Sequence, residues 1–211
     1  MSSPIVKIVR SFALCLLAAG RLAIAAAPDE NPDAVYFPMQ VGDERISDVV
    51  LMSTLGKVEK AKLTVTVTDT VQRGDKTYFR TKLVMDGDLA RESTKLTRCD
   101  TTGVYSLDES RPGTEEVTEV ILPLKTGEEQ NIGIGPAKMK VRVIGLEPVT
   151  INGKTYEKCY HLQMSPPGGD FVRDMWLAPH IGAIKSETAY ADNRKMVITM
   201  GEFKPGGKAA H

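Results

Sequence analysis

The chain has 211 residues, with 27 basic and 27 acidic side chains, zero net charge and no block of like charge. That balance excludes an ordinary nucleic-acid binder, whose phosphate partner demands a net positive face, and speaks against tight binding to anionic lipid.

Lys7 and Arg10 precede a short apolar run, Phe12 to Gly20, which Arg21 closes. The run is roughly half the length that a spanning helix requires. Ala23-Ile24-Ala25 and Ala25-Ala26-Ala27 supply the small-x-small pattern of a cleavage site. Residues 1–27 therefore read as a removable signal peptide, with a mature start near Ala26 to Pro28 and no transmembrane segment left after cleavage. Cys15 follows Leu14 rather than a small residue, so lipidation is not expected. The address is exported, periplasmic or extracellular.

Residues 28–35 are rich in proline and acid and read as a flexible leader; residues 204–211 read as a disordered tail. Between them lies a single domain, 36–203, about the size of one fold unit. Asp43 to Lys57 accommodates either a helix, with Ile46, Val49 and Val50 on one face, or a hairpin turning at Thr54 to Lys57. The strand neighbours favour the hairpin. Leu63, Val65 and Val67 then alternate with Lys62, Thr64, Thr66 and Thr68, the period of a strand with one buried face. Arg73 to Lys76 turns the chain into a strand from Tyr78 to Met85, and Asp86-Gly87-Asp88 turns it again. A polar strand runs from Arg91 to Cys99, and a short one from Gly103 to Leu107. Met139 to Ile144 alternates, and Asn152-Gly153 is a hairpin turn that accepts positive φ. Tyr156 to Met164, Phe171 to Leu177, Ala183 to Tyr190 and Lys195 to Phe203 complete a meander.

The two halves of this pattern look alike. Phe37-Pro38-Met39-x-x-Gly42 matches Leu122-Pro123-Leu124-x-x-Gly127. Gly74-Asp75-Lys76-Thr77-Tyr78 matches Asn152-Gly153-Lys154-Thr155-Tyr156, and Gly103-Val104 matches Gly182-Ala183. The order is kept, which points to an internal duplication of about 36–112 and 121–203. The expected fold is mostly β with few helices: a curved antiparallel sheet or half-barrel built from two similar meander halves. A closed barrel and a pair of small sandwiches are the rivals.

Tyr36-Phe37-Pro38-Met39-Gln40-Val41-Gly42 resembles the YFPLxxG opening of secreted bacterial TapB-like proteins of unknown function. Met175 to Lys185 (MWLAPHIGAIK) is similar to their WYAPGVGLVK segment. The resemblance covers about Tyr36 to Phe203. It implies the half-barrel of the lipoprotein carriers LolA and LolB, a curved sheet able to wrap a helix or an apolar ligand. Arg45 and Gln130 stand near places where many relatives carry an aromatic. The resemblance implies no catalytic residues.

No constellation for catalysis is legible. Cys159 and His161 share a strand face, but lie about 6.6 Å apart by strand geometry, too far for a nucleophile and its base, and no oxyanion-hole motif accompanies them. With Glu157 and Asp174 they lack the spacing of a metal site. Glu115-Glu116 and Glu128-Glu129 are adjacent, so on a strand they face opposite ways and read as solvated charge. There is no Gly-x-Ser-x-Gly elbow, and Gly133-Ile134-Gly135 runs into Pro136 rather than a helix. Arg73-Gly74-Asp75 is a turn. Cys99 and Cys159, exported together, are a disulfide candidate whose distance the sequence does not give. Trp176, the only tryptophan, reads first as a packing residue and second as the wall of a ligand groove, with Tyr160 and Leu162 beside it.

The expectation is a non-enzymatic envelope protein without cofactor or metal. Its partner is an apolar small molecule held in the curved sheet or, as the alternative, another envelope protein docked on it.

Overall fold

The computed structural model describes residues 31–109, 115–133 and 138–207. The expected signal peptide lies outside them. Twelve antiparallel strands follow in simple meander: β1 (Glu44–Met52), β2 (Val58–Arg73), β3 (Lys76–Met85), β4 (Arg91–Cys99), β5 (Gly103–Leu107), β6 (Val117–Ile121), β7 (Glu129–Ile132), β8 (Met139–Ile151), β9 (Lys154–Ser165), β10 (Phe171–Ala178), β11 (Gly182–Tyr190) and β12 (Lys195–Lys204). Two single 3-10 turns, Pro32–Tyr36 and Gly87–Leu89, are the only helical pieces among the described residues. Asp43 to Lys57 is the hairpin form: β1 pairs β2 from Glu44↔Thr66 to Met52↔Val58.

The sheet curls further than a half-barrel. Its order runs β6-β5-β4-β3-β2-β1-β12-β11-β10-β9-β8-β7, so the first and last strands of the chain pair in the middle. The free edges, β6 and β7, come back to face each other. They do not form a full ladder. Instead the Gln130 side chain stands between them: its Nε2 donates to Ile121 O (2.8 Å) and its Oε1 accepts from Ile121 N (3.0 Å). One backbone bond, Gly133 N to Thr118 O (3.2 Å), crosses the same seam. The side-chain amide thus completes a nearly closed barrel by standing in for a peptide group. An unpaired sheet edge is a liability, and this is a covered one.

Each half contributes six strands, β1–β6 and β7–β12. Both start with the same local device. Gly42 (φ 92°) donates to Val67 O, Asp43 O accepts from Val67 N, and Asp43 N donates to Gln40 O. Gly127 (φ 83°), Glu128, Val143 and Lys125 repeat all three bonds. Glycine is needed at both places because an L side chain rarely adopts this positive φ.

Three apolar clusters fill the barrel. The largest lies on the seam side and joins Val104, Val120, Leu122, Ile132, Val143 and Leu162 with Tyr36 from the first turn. A second gathers Ile151 at the tip of the β8–β9 hairpin with Cys159, Ala178, Ile184 and Met200. Asn152 Nδ2 donates to Met200 O (3.4 Å), so this hairpin folds across to β12 and caps one end. The third, Val49, Ala61 and Met85, lies on β1–β3.

The chain ends are tied in more than expected. Asp33, within the stretch read as a flexible leader, is buried in the first turn. It accepts from Leu124 N (2.6 Å) and Tyr160 OH (3.2 Å), bonds made to residues far along the chain that no local pattern announces. Lys204 belongs to β12, and Gly206 N donates to Asp43 Oδ1 (2.8 Å), so residues 204–207 are not loose tail. Glu116, read as solvated charge, is instead held by Arg98 (2.5 Å), Lys76 (2.8 Å) and Tyr78 OH (2.6 Å). The Arg98 bond, with Lys76 and Tyr78 behind it, outweighs burial and draws its carboxyl down to about 2.

Candidate functional site

The inward faces of the strands leave a cavity of about 470 Å3 inside the barrel. On β2 it is walled by Leu63, Val65 and Val67, the row whose alternation marked that strand; β3 adds Thr81, Leu83 and Met85. Across the barrel stand Met164, Met175 and Leu177, and between the two walls Met196 and Ile198 of β12. One end is stoppered by Tyr36, Phe37, Pro38 and Met39. Five methionines and several branched side chains make a soft, apolar interior that adapts to shape.

The polar part of the lining is unevenly charged. β4 turns Arg91, Ser93, Lys95 and Thr97 inward. Arg91 and Ser93 are exposed although they line the cavity, so it opens to solvent on their side. Lys95 is neutralised by Glu119, with Nζ at 3.0 and 3.2 Å from its two oxygens. Glu119 is the extra residue where the β5–β6 register shifts between Val104 and Tyr105. Burial pushes its carboxyl up, and Lys95 with the Ser106 hydroxyl pulls it down; the net is a lowered value. Arg173 donates from Nε to Thr188 Oγ1 (3.1 Å). Arg45, near the stoppered end, donates to Ile181 O (2.8 Å) and Pro38 O (3.0 Å), and burial lowers its pKa against the pull of Asp43. The Thr97 hydroxyl is buried without a partner among the described residues. A second hollow, about 630 Å3, lies between Asn131 to Gly133, Lys138 to Lys140 and the β9–β10 turn at Ser165 to Gly169.

The residues singled out from sequence fall elsewhere. Leu162 is wholly buried and Tyr160 nearly so, both in the packed seam-side cluster. Tyr160 spends its hydroxyl on Asp33 and Leu124 O (3.3 Å), and burial pushes it up to about 12. Trp176 is half-buried, stacked on His161 with ring centroids 4.5 Å apart, and its Nε1 donates to Glu147 (2.5 Å). None of the three lines the cavity.

Cys99 and Cys159 are both free thiols, so the candidate disulfide is not formed. Cys99 packs at the fringe of the seam-side cluster and Cys159 at the heart of the hairpin cluster, separate pockets of core. Burial raises the Cys159 thiol to about 11, which keeps it protonated and inert. His161 turns to Asp174 (2.8 Å) and Glu147 (3.4 Å) rather than to the thiol. Among the described residues no group of three or more His, Cys, Asp or Glu could hold a metal ion.

The signal that could have found the cavity was parity. Leu63, Val65 and Val67 face inward, and their pairing partners across β1, Ser47 opposite Leu63 and Arg45 opposite Val65, must face inward too. The polar inward face of β4 carries no such signal, because a polar row normally marks the wet side.

No family model matches the chain, and no curated protein matches it. Solved structures do. A candidate exported protein with a YmcC-like fold from Bacteroides fragilis matches 80% of this chain and 98% of its own at 12% identity, with a TM-score of 0.50. A candidate lipoprotein from Parabacteroides distasonis matches 80% and 98% at 12% identity, with a TM-score of 0.49. A domain of a candidate outer membrane lipoprotein-sorting protein from Vibrio parahaemolyticus matches 78% and 86% at 8% identity, with a TM-score of 0.27. At such identities the Bacteroides likeness concerns the fold, a curled antiparallel sheet spanning nearly the whole of that protein. No helix among the described residues is long and apolar enough to cross a membrane.

Proposed function

We propose that the protein is an exported envelope protein that binds a small molecule with an apolar body inside its barrel and does no chemistry on it. One observation carries this reading: a cavity of about 470 Å3, walled by aliphatic and methionine side chains and open on the β4 side. Ligand sites commonly occupy about 300–1,000 Å3 and are lined in this way. The amino-terminal pattern of Lys7, Arg10, Phe12–Gly20 and the alanine run supports export, as does the fold shared with a candidate exported protein. The segments Tyr36–Gly42 and Met175–Lys185 support kinship with TapB-like proteins. The two sets of hydrogen bonds at Gly42 and Gly127 support descent of the halves from one six-strand unit.

Titration with an environment-sensitive apolar dye tests the binding. Saturable binding at one dye per chain is expected. Leu83→Trp, which fills the half-buried wall, is expected to weaken it at least tenfold while circular dichroism and the urea midpoint stay native. Saturable binding that ignores Leu83→Trp would place the dye elsewhere.

A second reading, docking to another envelope protein, draws on the β1–β2 tip. Leu55 there is 95% exposed between Met52 and Val58, both also exposed. A folded monomer that binds no dye saturably would put this reading first.

A further inference from the structure

We infer that the cavity's ligand carries an anionic headgroup, a carboxylate or a phosphate, seated between Arg91 and Arg173 with its chain directed into the barrel. This rests on the binding reading above and adds the ligand's class and orientation.

The argument starts from topology. In an antiparallel meander every even-numbered strand begins at the same end. Arg91 is the first residue of β4 and Arg173 the third of β10, so both stand near that end. In the strand order, β4 and β10 are six strands apart in a sheet of twelve, which sets them on opposite walls of the nearly closed barrel. Both line the cavity. The two arginines therefore flank one mouth, and the other end is occupied by Tyr36 to Met39.

Charge supplies the second step. Four cations on inward-facing strand positions line the cavity, Arg45, Arg91, Lys95 and Arg173, against the single carboxylate of Glu119. Glu119 is spent on Lys95. Lys185 also borders the cavity, but its ammonium pairs with Glu187 and lies over the Trp176 ring. Arg45 is engaged by two carbonyls at the stoppered end. At the mouth, the Arg91 side chain has no hydrogen bond or ion pair among the described residues. Arg173 bonds only the neutral Thr188 hydroxyl and lies against the Phe171 ring (5.5 Å). Two guanidinium forks without a carboxylate, above an apolar shaft, are complementary to an oxyanion on an alkyl chain. They oppose a cationic amphiphile and give nothing extra to a neutral one.

Four twelve-carbon probes, each below its micelle concentration, separate the possibilities: dodecanoate, dodecyl phosphate, dodecanol and dodecylamine. The two anions are expected to bind about tenfold more tightly than the alcohol at low salt, a preference that salt reduces. The amine is expected to bind most weakly. In the R91A/R173A double variant the preference for the anions over the alcohol should vanish, with circular dichroism certifying the fold. Preference for only one of the two anions would identify the headgroup and keep the inference. Equal binding of alcohol and anions, or a preference that survives R91A/R173A, would overturn it and leave the apolar-binding reading standing. No binding of any probe would overturn that reading, and this inference with it.

Discussion

Replacing Gln130 by leucine is expected to cost about 2–4 kcal/mol of stability, because it strands two backbone groups at once. Leucine is one atom shorter than glutamine and wholly apolar, so the seam keeps most of its filling and loses its hydrogen bonds. Ile121 N–H and C=O, now paired at 3.0 and 2.8 Å by one amide, would be left without partners. Gln130 is 4% exposed and Ile121 42%, and hydration of the exposed Ile121 sets the lower bound. Urea unfolding should show a lower midpoint with an unchanged slope, and the amides of Ile121 and Gly133 should exchange faster than those at the β1–β12 junction. An unchanged midpoint would mean that the seam contributes nothing to closure.

A charge at Leu162 is expected to do more. Leu162 is fully buried in the seam-side cluster, beside Val141 and Val143 of the neighbouring strand. Leu162→Asp removes a side chain worth about 1.5–3 kcal/mol of burial and puts a carboxylate into an apolar cluster. A loss above about 4 kcal/mol, or no folded protein, is the expected result. The sequence had suggested this residue as a ligand contact, for which the same substitution would weaken binding and spare the fold. A native urea midpoint for Leu162→Asp would return it to that role and contradict the packing described here.

The two substitutions mark where sequence reading succeeds and where it stops. Strands with a strong period, such as Leu63-Val65-Val67 on β2 and Met196-Ile198-Met200 on β12, were legible because alternation reports a two-faced sheet directly. β6 and β7 were missed. They have five and four residues, and Glu119, Glu129 and Asn131 dilute their pattern. A short strand of that composition is held by its neighbours rather than by its own preference. Gln130 illustrates the limit more sharply, since a buried glutamine that substitutes for a strand looks in sequence like any surface residue. Asp33 is similar, being fixed by Leu124 and Tyr160, 91 and 127 residues away. At the site, parity marks the apolar wall and is silent on the charged one. The strand from Arg91 to Cys99 reads only as polar, and its Arg91, Ser93 and Lys95 face the cavity.

The central claim is that a ligand sits within the barrel. Methyl resonances of the methionines test it most directly, because the chain distributes methionine both inside and out. Met164, Met175 and Met196 line the cavity, whereas Met52 lies exposed beside the β1–β2 tip. On titration with dodecanoate, the account predicts that the methyls of Met164, Met175 and Met196 shift together and saturate at one ligand per chain, with Met52 unmoved. Shifts confined to Met52, or none that saturate at the cavity methyls, would contradict it.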